Sequence, residues 1–257
     1  IPVSSSEMMK YGGNTTCFEL ITDEFQIFFD TGSGFQNAIL NPNKEILVLF
    51  SHFHHDHLQG LAFNKYLLKP ETKTFISSAL VDSEELNKII RRYFSGVFFP
   101  LDIFDNLDNV TFSNFSEAQR TLSVGFNIEA IKLNHPGGSY GYSVTKDDKK
   151  CVFLCDNEFT TSQADELKNF SKNADIVIWD GMFTEEELKS KTGWGHSSLE
   201  QGVEFFSDIN CGQIMISQQD PYRTDAEVDI IGNSLPNGIH LAKDGHVLKK
   251  KKKKIEM

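Results

Sequence analysis

The chain has 257 residues, 39% of them hydrophobic and 24% charged, with 36 acidic against 25 basic side chains and a net charge of −11. This is the composition of a folded protein long enough for one large α/β unit, and it excludes a disordered or fibrous chain. Six of the basic residues form the unbroken run 249–254; without it 19 basic side chains stand against 36 acidic ones, a body at −17 that disfavours long polyanions such as RNA.

Residues 16–21 and 25–29 have the aromatic and β-branched content of strands, and the second runs into the turn Asp30-Thr31-Gly32-Ser33-Gly34. Asp30 suits either of two roles there, orienting a ligand histidine or bonding its own turn backbone. Residues 46–50 are an apolar run of strand length, followed at once by His52-Phe53-His54-His55-Asp56-His57. Half of the chain's eight histidines therefore fall within six positions. On an extended backbone residues i and i+2 share a face, so His52 and His54 can grip one ion from one side. Asp56 and His57 follow where the chain turns, and reach a neighbouring position. The pattern predicts a pair of adjacent metal sites rather than a loop with accidental histidines.

Between residues 83 and 94 the apolar positions Leu86, Ile89, Ile90 and Tyr93 follow helical spacing, which predicts an amphipathic helix. The Phe-rich stretch 94–115, interrupted by Pro100, reads as core or as the lining of a pocket. His135 comes just after Ile131-Lys132-Leu133, at a strand-to-turn junction. Asp156 closes the apolar strand 151–155, where a carboxylate can bridge two cations or cap a turn. Residues 175–179 and 213–217 read as buried strands, and capping boxes are expected at Thr184 with Glu187, Ser197 with Glu200, and Thr224 with Glu227. His196 lies in Gly193-Trp194-Gly195-His196-Ser197-Ser198, just before a capped helix whose exposed N–H groups and partial positive charge suit an anionic substrate.

The four cysteines show no zinc-knuckle spacing, and Cys151 and Cys155 on one strand lie roughly 13 Å apart at strand rise, too far for a disulfide. Reduced thiols in a cytoplasmic setting are the simplest account. Residues 1–6 lack the charged and apolar regions of a signal peptide; with no initiator Met, the expectation is that a segment upstream has been removed or left out. No stretch has the length and apolarity of a membrane span. We expect one domain over residues 1–248 and, at 249–257, a solvated Lys-rich tail in preference to a tether for nucleic acid or membrane.

The order of these motifs, His52-x-His54-x-Asp56-His57 with Asp30 upstream and His135, Asp156 and His196 downstream, resembles the metallo-β-lactamase superfamily. Within it, the segments 12–17, 134–138 and 193–197 resemble the branch of tRNA 3′-processing endonucleases (tRNase Z) and small phosphodiesterases. The resemblance spans nearly the whole chain. It implies an α+β fold, the four-layer αββα sandwich. It also implies His52, His54 and His135 as ligands of one metal, Asp56 and His57 as ligands of a second, Asp156 bridging, Asp30 behind the ligands and His196 near the leaving group. One position departs: where relatives carry a last histidine after the strand 213–217, this chain has Gln218-Gln219-Asp220-Pro221. Gln218 could offer the second metal only a neutral amide oxygen, a poor match to zinc.

The activity implied is two-metal hydrolysis of a small or cyclic phosphodiester. Asp56 would accept a proton from water and His196 would donate one to the leaving oxygen. The cofactors implied are two divalent ions, zinc or manganese, with iron a further candidate and the second site weak. The expected partner is a small anionic substrate, without long nucleic acid or membrane, and a homodimer is left open. Three rivals share the first motif: a lactam or thioester hydrolase, a diiron redox sensor, and a non-catalytic binding module with a decayed second site. The diiron class replaces the second histidine with a carboxylate, so His54 counts against it.

Overall fold

The structure is a computed structural model that describes residues 2–121 and 125–248; the expected tail at 249–257 lies outside the described residues. The first sheet holds β1 (Phe18–Ile21), β2 (Phe25–Phe29), β3 (Glu45–Phe50), β4 (Thr74–Ser78) and β5 (Val110–Phe112) in that spatial order. Its first pair is antiparallel and the other pairs are parallel. The second sheet runs from β6 (Phe126–Leu133) through β7 (Ser139–Lys146), β8 (Lys149–Leu154), β9 (Ile176–Asp180) and β10 (Gln213–Ser217) to β11 (Ile239–Leu241). There β6, β7 and β8 pair antiparallel, and β8 to β11 are parallel.

Parallel neighbours need crossover segments, and the helices supply most of them. The first half carries α1 (His55–Leu58), α2 (Ser83–Tyr93) and α3 (Phe115–Thr121). The second carries α4 (Ala164–Ser171), α5 (Glu185–Leu188), α6 (Leu199–Ser207) and α7 (Asp225–Ser234).

Side-chain alternation along the strands sorts the core into three layers. Phe25, Ile27 and Phe29 of β2 face Phe126 and Ile128 of β6 and Phe153 of β8 between the sheets, where the Phe29 and Phe153 rings stack at 5.1 Å. The alternate residues Phe28, Ile46 and Val48 pack outward against Leu86 and Ile90 of α2. On the far side Val177 and Trp179 of β9 meet Leu167 of α4 and Phe205 and Phe206 of α6. Each side chain fully buried in this way contributes about 1.5–3 kcal/mol of apolar transfer free energy. Helix, sheet, sheet, helix is the expected αββα sandwich.

Local expectations held at most strands and failed at two places. Segment 16–21 enters its strand only at Phe18, which leaves Thr16 in the loop before it. The capping box before α6 is Ser198 with Gln201, one residue beyond the expected Ser197 with Glu200. Ser198 is fixed as the cap by its bridge to Phe183 and by burial of Leu199, while Ser197 Oγ donates to the Asn157 carbonyl. The boxes at Thr184 and Thr224 form as expected. In the Phe-rich stretch, Phe94 and Phe104 are core against α2, whereas Phe98 is exposed. All four cysteines are free thiols.

Candidate metal centre

Parallel strands end at one edge, and the polar residues gather there. Asp30 follows β2, His52 follows β3, Asp156 follows β8, Asp180 ends β9 and Gln218 follows β10. Asp30, Asp156 and Gln218 all take left-handed backbone, with φ of 60°, 57° and 61°. That conformation is costly for a residue with a Cβ and recurs at functional sites, because it turns the chain sharply off the strand end. Tyr142 ties the two sheets together behind this edge. Its hydroxyl donates to the Phe50 carbonyl at 2.7 Å and accepts from the Ala79 N–H at 2.9 Å.

Four histidines have Nδ1 committed to an acceptor, which fixes the ring and aims Nε2 inward. His57 Nδ1 lies 2.8 Å from Asp30 Oδ2, His135 Nδ1 2.7 Å from the Gly195 carbonyl, and His196 Nδ1 2.8 Å from Asp180 Oδ2. His52 Nδ1 lies 2.9 Å from Ser51 Oγ, which itself donates to Asp30 Oδ2 at 2.7 Å. Asp30, wholly buried, thus holds two rings at once, one directly and one through Ser51. His54 is the exception: its Nδ1 lies 3.0 Å from His135 Nε2.

The inward atoms form two neighbouring groups. His52, His54 and His135 bring their ring nitrogens within 4.8 Å of one another. Asp156 Oδ2 stands 3.7 Å from both His52 Nε2 and His135 Nε2. Its other oxygen, Oδ1, stands 3.3 Å from His57 Nε2, and Asp56 Oδ2 approaches the same nitrogen at 3.6 Å. Asp156 therefore gives one oxygen to each group. A third cluster joins His135, Asp156 and His196. Asp56 is about one third exposed and falls outside the tight clusters, reaching them at His57. His55 turns away, its Nδ1 bonded to the Tyr93 hydroxyl at the exposed rim.

The donor chemistry fits a divalent cation. His52 Nε2 is buried with no hydrogen-bond partner among the described residues, an orphan that a metal would satisfy. Burial, reinforced by the neighbouring His57, pushes His52 down to about 2, so its lone pair is free at any ordinary pH. Burial likewise lowers His54, with His135 adding to the effect. Burial alone would lower His57 and raise Asp156. Their mutual attraction outweighs it, and it holds His57 well above and Asp156 well below the usual values.

Gln218 lies at this centre. Its oxygen accepts from Thr16 Oγ1 at 2.8 Å, and its amide nitrogen donates to Asp156 Oδ1 and lies 3.4 Å from His57 Nε2.

Two residues here escaped the sequence reading. Asp180, fully buried, backs His196; burial pulls that imidazole down, but the Asp180 carboxylate prevails and lifts it to about 9. Its signal was available, since it closes an apolar strand as Asp30 and Asp156 do. Glu158 binds the backbone N–H groups of Gly193, at 2.8 Å, and Gly195, at 2.9 Å, across 35 and 37 residues. No local pattern announces such a clamp. Gly195 has φ of 88°, and a Cβ there would lie 2.3 Å from His135 Nδ1, so a larger residue would displace a ring of the centre.

Comparison with known proteins agrees with this architecture. No curated protein matches the chain in sequence. The chain is similar in structure to the metallo-beta-lactamase fold protein YhfI from Bacillus subtilis, at 16% identity over 94% of this chain and 95% of that one, with a TM-score of 0.68. It is similar to human tRNase Z, short form, at 17% identity over 96% of each chain, with a TM-score of 0.65. It is also similar to a diphosphatase from the PhnP family, at 17% identity over 92% of this chain and 85% of that one, with a TM-score of 0.63. At these identities the likeness is one of fold. The family model for the beta-lactamase superfamily domain matches residues 26–217, and the chain belongs to that family, with the metallo-β-lactamase fold.

Proposed function

We propose that this protein is a metal-dependent phosphodiesterase acting on small or cyclic phosphodiesters. The observation that carries the reading is the division of Asp156 between two donor groups beside a third imidazole, His196, that is backed by a buried carboxylate. His52, His54, His135 and Asp156 Oδ2 would hold one divalent ion, and His57, Asp56 and Asp156 Oδ1 a second. Such ions lower the pKa of a water molecule and polarise a phosphoryl oxygen.

The chain's own residues supply the rest. Asp56, partly exposed beside His57, can take a proton from the attacking water. His196, held protonated by Asp180, can donate to the departing oxygen, a role worth about 10²–10⁴-fold in rate. Asp30 and Ser51 keep the His52 and His57 rings in place. Four free cysteines fit a reducing, cytoplasmic setting, and the acidic body favours a small substrate over a long nucleic acid.

The test is turnover on a panel comprising bis-p-nitrophenyl phosphate, a 2′,3′-cyclic nucleotide, a chromogenic lactam and a thioester, after loading with Zn²⁺, Mn²⁺ or Fe²⁺. Hydrolysis of the diesters above the other two classes is expected. Preference for the lactam or thioester, or no turnover with any metal, contradicts the proposal.

A further inference from the structure

An exposed aromatic side chain stands on the glycine loop that carries His196. The chain has two tryptophans. Trp179 is 1% exposed in the core, whereas Trp194 is 57% exposed, two residues before His196. The Phe183 ring is a neighbour of both Trp194 and His196, 6.4 Å from the Trp194 ring and 6.1 Å from the His196 ring, edge-on to each. Lys191 Nζ sits 4.0 Å from the centre of the Trp194 ring.

The backbone on either side of Trp194 is pinned. Gly193 N–H and Gly195 N–H both donate to Glu158, Trp194 N–H donates to the Lys191 carbonyl at 3.0 Å, and the Gly195 carbonyl accepts from His135 Nδ1. The loop is therefore fixed from both ends and fastened to a ring of the centre itself. An exposed indole on a fixed backbone gives up little conformational freedom when a flat group settles on it, so its contact area converts efficiently into affinity. Lys191 Nζ lies over one face of the ring and adds positive charge there in a strongly acidic protein, which favours a flat group that arrives with a phosphate and settles on the ring surface that Lys191 leaves open.

We propose that Trp194 is a stacking platform for the nucleobase of a nucleoside phosphate ester, whose phosphate is seated at the centre built by Asp156 and His196. The inference rests on the phosphodiesterase reading and narrows its substrate to nucleoside derivatives. Trp194 acts here on binding and not on the chemical step. Stacking of a base on an aromatic side chain is sequence-tolerant, and its loss on truncation corresponds to roughly 5- to 150-fold in affinity.

The two tryptophans make the test direct, because only Trp194 is accessible. Adenosine 5′-monophosphate and ribose 5-phosphate are titrated into the metal-loaded full chain. Binding is followed by tryptophan emission and, for the wild type, Trp194→Phe and Trp194→Ala, by calorimetry. The proposal expects saturable quenching by adenosine 5′-monophosphate and none by ribose 5-phosphate. In Trp194→Ala, affinity for the nucleotide should fall roughly 5- to 150-fold while that for ribose 5-phosphate stays level, and Trp194→Phe should keep most of the nucleotide affinity. Metal content and melting temperature of the variants guard against a folding defect. Equal affinity of the wild type for both phosphates, nucleotide affinity unchanged in Trp194→Ala, or no saturable nucleotide binding at all overturns the platform. The two readings fail separately. An active diesterase that ignores the base loses the platform alone, and base-dependent quenching in a protein with no diesterase activity sinks the reaction alone.

Discussion

Thr16 Oγ1 donates to the side-chain oxygen of Gln218 at 2.8 Å, and this bond turns the amide nitrogen onto Asp156. A donor N–H group thus occupies a place beside His57 where a ligand lone pair would serve a cation. The second donor group is left with Asp56, His57 and Asp156 as its strong ligands. A ligand oxygen from Gln218 would require the amide to rotate, with Thr16 then accepting from it. Two unequal affinities should follow, the weaker for the group at His57. In Gln218→His an imidazole replaces the amide, and the two affinities should converge. Metal content after dialysis across a Zn²⁺ and Mn²⁺ titration reads this. Two equally tight ions in the wild type, unchanged in Gln218→His, would show that Gln218 has no influence on the centre.

His54 is the one ring of the first group whose Nδ1, instead of an outer acceptor, faces the centre. Its truncation in His54→Ala leaves three imidazole donors short by one, so bound metal should drop by about one equivalent and diester turnover should be abolished. Full occupancy with normal turnover in that variant would dismiss the first group as a ligand set.

Asp30 touches no reacting atom, yet it fixes both His52 and His57. Asp30→Asn keeps the shape and weakens the acceptor, and metal affinity should fall about 10- to 100-fold. The melting curve of the metal-free protein separates this from general destabilisation, since loss of affinity with no loss of metal-free stability is the result expected of an orienting residue.

The pH dependence follows from His196. Its proton is held up to about 9 by Asp180, so the acid form is present below that pH and is lost above it. Turnover of a diester with a poor leaving group should therefore fall as pH rises through about 9. Asp180→Asn removes the supporting charge, and the alkaline limb should move to lower pH. His196→Ala should lose about 10²–10⁴-fold on a poor leaving group and much less on bis-p-nitrophenyl phosphate, whose leaving group needs little protonation. A limb that stays put in Asp180→Asn would assign it to another group.

Gly195→Ala tests the clamp on the rim. Left-handed backbone and the approach to His135 should together cost about 2–3 kcal/mol, a fall in melting temperature of roughly 4–10 °C, with lowered metal content. Unchanged melting and metal content would show that the loop gives way freely.

Much of this centre was legible because strands advertise their ends. The apolar run 46–50 stops abruptly at polar residues, so the placement of His52 at a strand end could be read from composition alone, whereas Gln218 was placed at the site by the family resemblance. What was missed depends on contacts far apart in sequence. Asp180 gains its meaning only from His196, and Glu158 only from the glycine loop. The shift of the capping box from Ser197 to Ser198 has the same origin. Two adjacent serines are each followed three residues later by Glu or Gln, and the pairing with Phe183 decides between them.

The central claim is that Asp156 joins two cation sites, and anomalous diffraction from crystals grown with Zn²⁺ or Mn²⁺ tests it most directly. The account predicts two peaks, one on each side of the Asp156 carboxylate. The peak among His52, His54 and His135 should be the stronger, and the peak beside His57 should be the first to fade as metal is withdrawn. A single ion held away from Asp156, or no ion at these histidines, would contradict it.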